Sequence, residues 1–426
     1  MADIKAFRAL RFDCQKAGDI AELTCPPYDI ISEQQRLEYI EKNEHNVIRL
    51  ELPREGEDPY AQAGRLEQQW EEEGILKRDE QECTYIYEEE FTVKGITRSI
   101  KGIVCLVKLT PFSEGVVLPH EFTLSKAKED RFNLMKSTFC NFSQIYSLYM
   151  DDGNTRPLIE EASSGLPDQE FCDQSGVIHR LWAVADPDLA QKLSEQFKSR
   201  KLYIADGHHR YETALNFRDY AREQGLAKEG DPVDYCMMML VDMEHPGLVV
   251  FPTHRVVTGL ENFDPANALG KCSEYFELKP MDSIDNMEQV LEGLYEEGKT
   301  AFGLYMGGKG WQCLTLRDQG VMDRLLPDLS PASRHLDVTV LHTLILERLF
   351  GIDKENMANQ KNLVYVKQME EAIDAVRNGG ANFAFLLNPT RVTEIRDVAA
   401  AGEKMPQKST YFYPKLITGL VMNKLK

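Results

Sequence analysis

The stretch "YIADGHHRYETA", Tyr203 to Ala214, gathers an acid, a glycine, two histidines and an arginine within five consecutive residues. Only nine histidines occur in 426 residues, and two of them stand side by side here, after Asp206-Gly207 and before Arg210. The apolar run "KLYIA" before the motif reads as a strand. After it, "HRYETALNFRDYAREQG" spaces Tyr211, Ala214, Leu215 and Tyr220 as a helix does, with Gly225 as its stop. A strand that turns through Asp-Gly into a helix presents unpaired N–H groups and the positive end of the helix dipole. A glycine there lets the backbone come close to an anion. His208, His209 and Arg210 add donors, Arg210 through a planar fork that fits phosphate oxygens. These residues have the chemistry of a phosphate cradle.

Two other uses of the same residues stay open at this level. Asp206 can be a plain N-cap with the histidines satisfied beside a core. His209 and Glu212, three apart on one helix, can share a face toward a metal, although no HExxH or HxH spacing accompanies them. Further polar groups fall near ends of predicted elements: "LPHEFT" with His120, Glu121 and Thr123, "KAKEDR" with Lys126, Lys128, Asp130 and Arg131, and "PTHR" with His254 and Arg255. "NPTR" (388–391) and "PQKSTYFYPK", with Lys408, Ser409, Thr410 and Lys415, read as turns with surface residues. Loops of the P-loop, protein-kinase and GxSxG types are absent, so a nucleotide enzyme would need an unusual fold.

The elements that must position these groups alternate along the whole chain. "CPPYDII" is a rigid extended turn, because each proline fixes its own φ and restricts the residue before it. "SEQQRLEYIEKN" predicts a Ser-capped helix, "NVIRLEL" a strand, and "YAQAGRLEQQWEEEGIL" a second helix. "CTYIYEEEFTV" and "TRSIKGIVCLVKLT" predict a hairpin, "SQIYSLYMD" and "GVIHRLWAV" strands, and "DPDLAQKLSEQFKS" an Asp-capped helix. "DYCMMMLVDM" and "GLVVFPTHRVV" read as buried strands. Further on, a helix, a hairpin, the long apolar helix "LDVTVLHTLILERLFG" and a final strand–helix–strand follow. The expected class is α+β with mixed sheets, divided into regions 1–104, 105–262 and 263–426.

Composition excludes some functions. The net charge is −20, which repels polyanions, so no nucleic-acid surface is expected and any phosphate must be held locally. No run approaches a membrane span and the N-terminus lacks a signal peptide, so a cytoplasmic protein is expected. Nine cysteines stand singly, without CxxC spacing, as reduced and mostly buried thiols do.

"ADGHHRYETA", "LPHEFT" followed by "KEDR", "PTHR", "LLNPTR" and "MPQKSTYFYPKLITGLV" together resemble the bacterial domain-of-unknown-function family 1015, over nearly the whole chain. "DGHHR" is in turn similar to the nucleotide-phosphate motif of free-serine kinases of the ParB/sulfiredoxin-like fold, which phosphorylate L-serine with ATP or ADP. That resemblance implies a ParB/sulfiredoxin-like nucleotide-binding catalytic domain over 105–262, flanked by N- and C-terminal α+β regions. It implies that Gly207, His208, His209 and Arg210 contact the nucleotide; His120, Thr123, Lys126, Arg131, His254 and Arg255 are expected as further contacts from their own residue types. Asp206 would hold Mg²⁺, His209 would assist transfer, and Glu121 would take the proton from the acceptor hydroxyl. The partners expected are a nucleotide and a small hydroxyl metabolite, L-serine first, with a homodimer as the expected assembly. The alternative is a ParB-like switch that binds or hydrolyses nucleotide without phosphorylating a metabolite.

Overall fold

A computed structural model describes residues 1–123 and 125–426. The chain forms two compact units: one of residues 1–119, 123–249 and 414–426, and one of residues 120–122 and 250–413. Each is an α+β assembly on a mixed or antiparallel sheet, as the sequence predicts.

The first unit is built on nine strands: β1 (Ile4–Lys5), β2 (Thr84–Val93), β3 (Ile96–Lys108), β4 (Val117–Leu118), β5 (Ile145–Tyr149), β6 (Gln169–Cys172), β7 (Ile178–Val184), β8 (Leu202–Asp206) and β9 (Tyr235–Asp242). Their order is β4-β8-β5-β9-β3-β2-β7-β6, with β1 beside β3. β8 runs parallel to β4 and antiparallel to β5, and β5 runs parallel to β9, so the sheet is mixed. The β2–β3 hairpin turns at Lys94 and Gly95, both at positive φ (50° and 77°), the backbone that lets a two-residue turn follow strand twist. Helix α2 (His208–Glu223) packs on this sheet and α1 (Ser125–Thr138) packs against α2; α2 buries Tyr211, Ala214, Phe217 and Ala221. Each of its large apolar side chains contributes ~1.5–3 kcal/mol by burial. The segment Pro414–Lys426 completes the unit as a strap: Thr418 bridges Cys25, Met422 bridges Leu10, and Asn423–Lys424 pairs with Cys140–Asn141.

The second unit holds an antiparallel sheet of β10 (His254–Val257), β11 (Phe276–Met281), β12 (Ala301–Tyr305), β13 (Trp311–Leu316), β14 (Leu363–Val366) and β15 (Phe383–Leu386), in the order β11-β13-β12-β15-β10-β14. Phe302, Leu314, Phe383 and Leu344 are buried in its core.

Two expectations are corrected. "NVIRLEL" is a short helix, Ile48–Glu51, because Asn46 Oδ1 accepts the Ile48 N–H and Val47 N–H donates to Leu23. Local side-chain capping and tertiary contact override the strand pattern. The boundary at 104/105 falls inside β3, and strands from 1–104 and 105–249 share one sheet; a covalent hairpin strand cannot be divided between domains. All nine cysteines are unpaired; Cys14 and Cys172 are exposed and the other seven buried. Among the described residues no helix is long and apolar enough to cross a membrane.

Candidate functional site

β8 is apolar and buried until Asp206, where its register against β5 shifts. Gly207 then turns the chain with φ 96° and ψ 26°, and α2 begins at His208. The backbone angle favours glycine, and a Cβ at Gly207 would stand 3.0 Å from the Arg210 guanidinium and press on it. Tyr211 N–H donates to Gly207 O, and Tyr211 itself is anchored by its hydroxyl to Thr110 O at 2.8 Å. The first turn of the helix is thereby fixed to the sheet.

Asp206 is the electrostatic centre of this turn. Its Oδ2 accepts from Arg210 at 2.7 Å and its Oδ1 accepts from Lys415 Nζ. Burial favours the protonated acid, but Lys415, Arg210 and His208 outweigh it and hold the carboxyl well below its ordinary range. Arg210 also donates to Gln144 O at 2.6 Å and to Ser143 Oγ at 3.1 Å. Its fork therefore grips the turn from inside. His208 is buried and His209 half-buried.

Beneath the turn the network continues. Ser143 donates to Glu51 Oε1 at 3.2 Å, and Glu51 Oε2 lies 3.5 Å from Arg131. Burial raises the Glu51 carboxyl, and the charges of Arg131 and Arg210 oppose that rise. Arg131 is 5% exposed, donates to Glu51 O and to Asp130, and stacks 4.0 Å over the Tyr28 ring. A cavity of about 40 Å³ lies among Glu51, Arg131, Ser143, Arg210 and Thr213, room for one or two waters.

The other predicted residues are divided between the units. In the first unit, Thr123 and Lys128 both donate to Glu212, at 2.9 and 2.8 Å, and Lys126 is exposed. Glu212 is thus engaged by a cation and a hydroxyl, and among the described residues no three His, Cys, Asp or Glu side chains form a metal cluster. Asp206 has both oxygens in ion pairs, which does not fit a protein-built Mg²⁺ site.

In the second unit, His120 Nε2 meets Thr410 Oγ1 at 2.9 Å and Glu121 Oε1 accepts the Lys408 N–H at 2.6 Å. Lys408 has φ 57°, and its carbonyl accepts from Arg255 at 3.1 Å, so Glu121 and Arg255 clamp one left-handed residue from its two ends. Arg255 further donates to Thr253 O and to His342 Nε2. Burial lowers Arg255 to about 10 and, together with the Arg255 charge, His254 to about 4. "NPTR" is held by Thr390 to Ser409 O, Asn388 to Leu291 O and Arg391 to Glu292.

Sequence reasoning gave no role to Lys415, Glu51, Ser143 or Tyr28. Arg210 lies 67 positions from Ser143 and Asp206 lies 209 from Lys415, separations at which spacing carries no signal.

A family model described as "Protein of unknown function (DUF1015)" matches residues 4–339. No curated protein sequence matches. Similar solved structures include a free serine kinase variant in complex with ADP, at 13% identity and TM-score 0.38, covering 76% of this chain and 92% of that one. Others are a conserved hypothetical protein from Pyrococcus furiosus (14% identity, TM-score 0.36, 76% and 95% covered) and SbnI with a C-terminal truncation from Staphylococcus aureus (11%, 0.35, 75% and 86%). With residues 4–339, most of its length, matched, the chain belongs to the DUF1015 family.

Proposed function

We propose that the turn from Asp206 to Arg210 binds the phosphates of ATP or ADP, and that the protein transfers a phosphoryl group to a small hydroxyl metabolite, with free L-serine the leading acceptor. The observation that carries the reading is the Gly207 turn, at φ 96°, which delivers the α2 N-terminus where Arg210 and Lys415 converge on Asp206. The motif resemblance to free-serine kinases supplies the acceptor.

Phosphoryl transfer asks a protein mainly for position and charge stabilisation. The α2 N–H groups would donate to phosphate oxygens, and Lys415 would exchange its bond to Asp206 for one to phosphate. Asp206 would keep Arg210 and the turn in place during that exchange. His208 and His209 would bracket the same oxygens. Among the described residues no three His, Cys, Asp or Glu side chains cluster to hold Mg²⁺. The assignment of Glu121 as proton acceptor comes from the resemblance, and its commitment to the Lys408 N–H gives it a defined orientation.

The test is incubation of purified protein with ATP or ADP, magnesium salt and L-serine, followed by mass spectrometry for O-phosphoserine. Product with either nucleotide supports the reading. Nucleotide binding without product would replace it by a nucleotide switch, and no binding would remove both.

A further inference from the structure

Away from the cradle, the first unit buries a row of titratable groups. Tyr87 and Glu89 are two residues apart on β2 and share a face, and His179 stands opposite Glu89 on β7. None of the three is more than 1% exposed. The Tyr87 hydroxyl lies 2.9 Å from Glu89 Oε1 and 2.7 Å from His179 Nδ1. On the far side of the ring, His179 Nε2 faces Asp173 Oδ2 at 3.3 Å. Phe171 stacks on the imidazole, 4.9 Å between centroids, and fixes its plane. Among the described residues no lysine or arginine reaches ion-pair distance of Glu89, and Glu89 Oε2 is buried without a hydrogen-bond partner.

Counting hydrogens decides what state this row holds. There are three gaps: Asp173 to His179, His179 to Tyr87, and Tyr87 to Glu89. Each needs one hydrogen, or two lone pairs face each other in a low-dielectric interior. With both carboxyls ionised, a neutral imidazole and a phenol supply only two. A third must be retained. Burial, opposed by the Tyr87 contact and aided by the Asp173 charge, pushes Glu89 up to about 8. Asp173 goes the other way: burial raises it, but His179 and the Val177 and Ser175 N–H groups bring it below the usual range. An imidazolium would also supply it, but Glu89 is fully buried with no lysine or arginine at ion-pair distance among the described residues, so the third hydrogen is assigned to Glu89, which would donate to Tyr87 while Tyr87 donates to His179. The other titratable neighbours are Tyr146 on β5, which feels the Glu89 charge, and Tyr39, which feels that of Asp173.

The row also meets the strap. The Ile417 N–H approaches the Tyr87 oxygen, and the Ile417 carbonyl accepts from Gln144 at 3.1 Å. Two residues earlier, Lys415 is bound to Asp206.

We propose that Asp173, His179, Tyr87 and Glu89 form a buried relay that retains one proton at neutral pH and latches the Pro414–Lys426 strap, and that alkaline loss of this proton loosens the strap at Ile417. The inference does not depend on what the cradle binds. In Glu89→Gln the amide NH₂ supplies the third hydrogen at every pH.

Infrared spectroscopy and amide hydrogen exchange test it together. The wild-type protein shows the C=O band of a protonated carboxyl at neutral pH, absent from Glu89→Gln and lost with a midpoint near pH 8. Across the same midpoint, exchange at Ile417 accelerates at least tenfold beyond its intrinsic base-catalysed rise in wild type and follows only the intrinsic rise in the variant. No Glu89-dependent band at neutral pH, or equal Ile417 profiles in the two proteins, overturns the proposal. If the variant does not fold, the wild-type band and its midpoint with ¹³C-labelled glutamate decide alone.

Discussion

The charges of the cradle are organised around one carboxylate, and a double-mutant cycle on Asp206 and Lys415 measures how strongly. Asp206 accepts from Arg210 at 2.7 Å and from Lys415, and it stays ionised because those cations outweigh its burial. Asp206→Asn leaves two poorly solvated cations facing each other without an anion. Removing one member of such a buried pair costs ~3–5 kcal/mol. Lys415→Met keeps the aliphatic stem and leaves Asp206 paired with Arg210, so it costs the smaller amount of a lost charge-assisted hydrogen bond, ~1.5–3 kcal/mol. In the double variant the amide no longer faces an abandoned ammonium, so the two losses overlap by ~1–3 kcal/mol. Urea denaturation followed by circular dichroism at neutral pH reads all three. The pH dependence has a fixed sign: the folded pKa lies below the unfolded one, so the stability Asp206 contributes is complete above ~pH 4 and is lost as pH falls below that toward the folded pKa. The gap between wild type and Asp206→Asn therefore closes in acid. Strictly additive losses, or a gap that widens in acid, would refute the reasoning.

Gly207→Ala adds a Cβ against the Arg210 guanidinium at φ 96° and is expected to cost ~1–3 kcal/mol in the same denaturation assay and to weaken nucleotide binding; a neutral substitution contradicts the turn's role. Glu121→Gln keeps an acceptor for the Lys408 N–H, so stability changes by under ~1 kcal/mol, whereas kcat for phosphoserine formation falls by ~10²–10⁴ with nucleotide affinity unchanged if Glu121 takes the acceptor proton. An unaltered rate assigns Glu121 to holding the turn alone. Tyr28→Leu removes the ring under Arg131 and lowers stability by ~0.5–2 kcal/mol, while Tyr28→Phe keeps most of that contact; equal losses would locate the effect in the hydroxyl instead.

How much of this was legible in the sequence depends on the range of the interaction. The strand–Gly207–helix turn, the β2–β3 hairpin and the Ser32 helix cap are written in neighbouring residues, and each is found where the pattern puts it. The Ile48–Glu51 helix was not legible, since the β-branched and leucine spacing reads as a strand and only Asn46 and Leu23 decide otherwise. The strand–glycine–helix turn of DGHHR was legible, but the direction of Arg210 was not: its fork turns inward to Gln144 and Asp206. Lys415 reads as a surface residue near the C-terminus until the strap carries it back 209 positions to Asp206. Glu89 lies in the run "EEE" and reads as one more solvated charge, yet strand alternation turns it alone into the interior opposite His179.

The central claim is that the turn beginning at Asp206 receives the phosphates of a nucleotide. The most direct measurement is titration of ¹⁵N-labelled protein with ADP, followed at the backbone amides. The account predicts saturable shifts that are largest at Gly207, His208 and His209 and that weaken in Lys415→Met. ADP binding that leaves those three amides unmoved, or no binding at all, would contradict it.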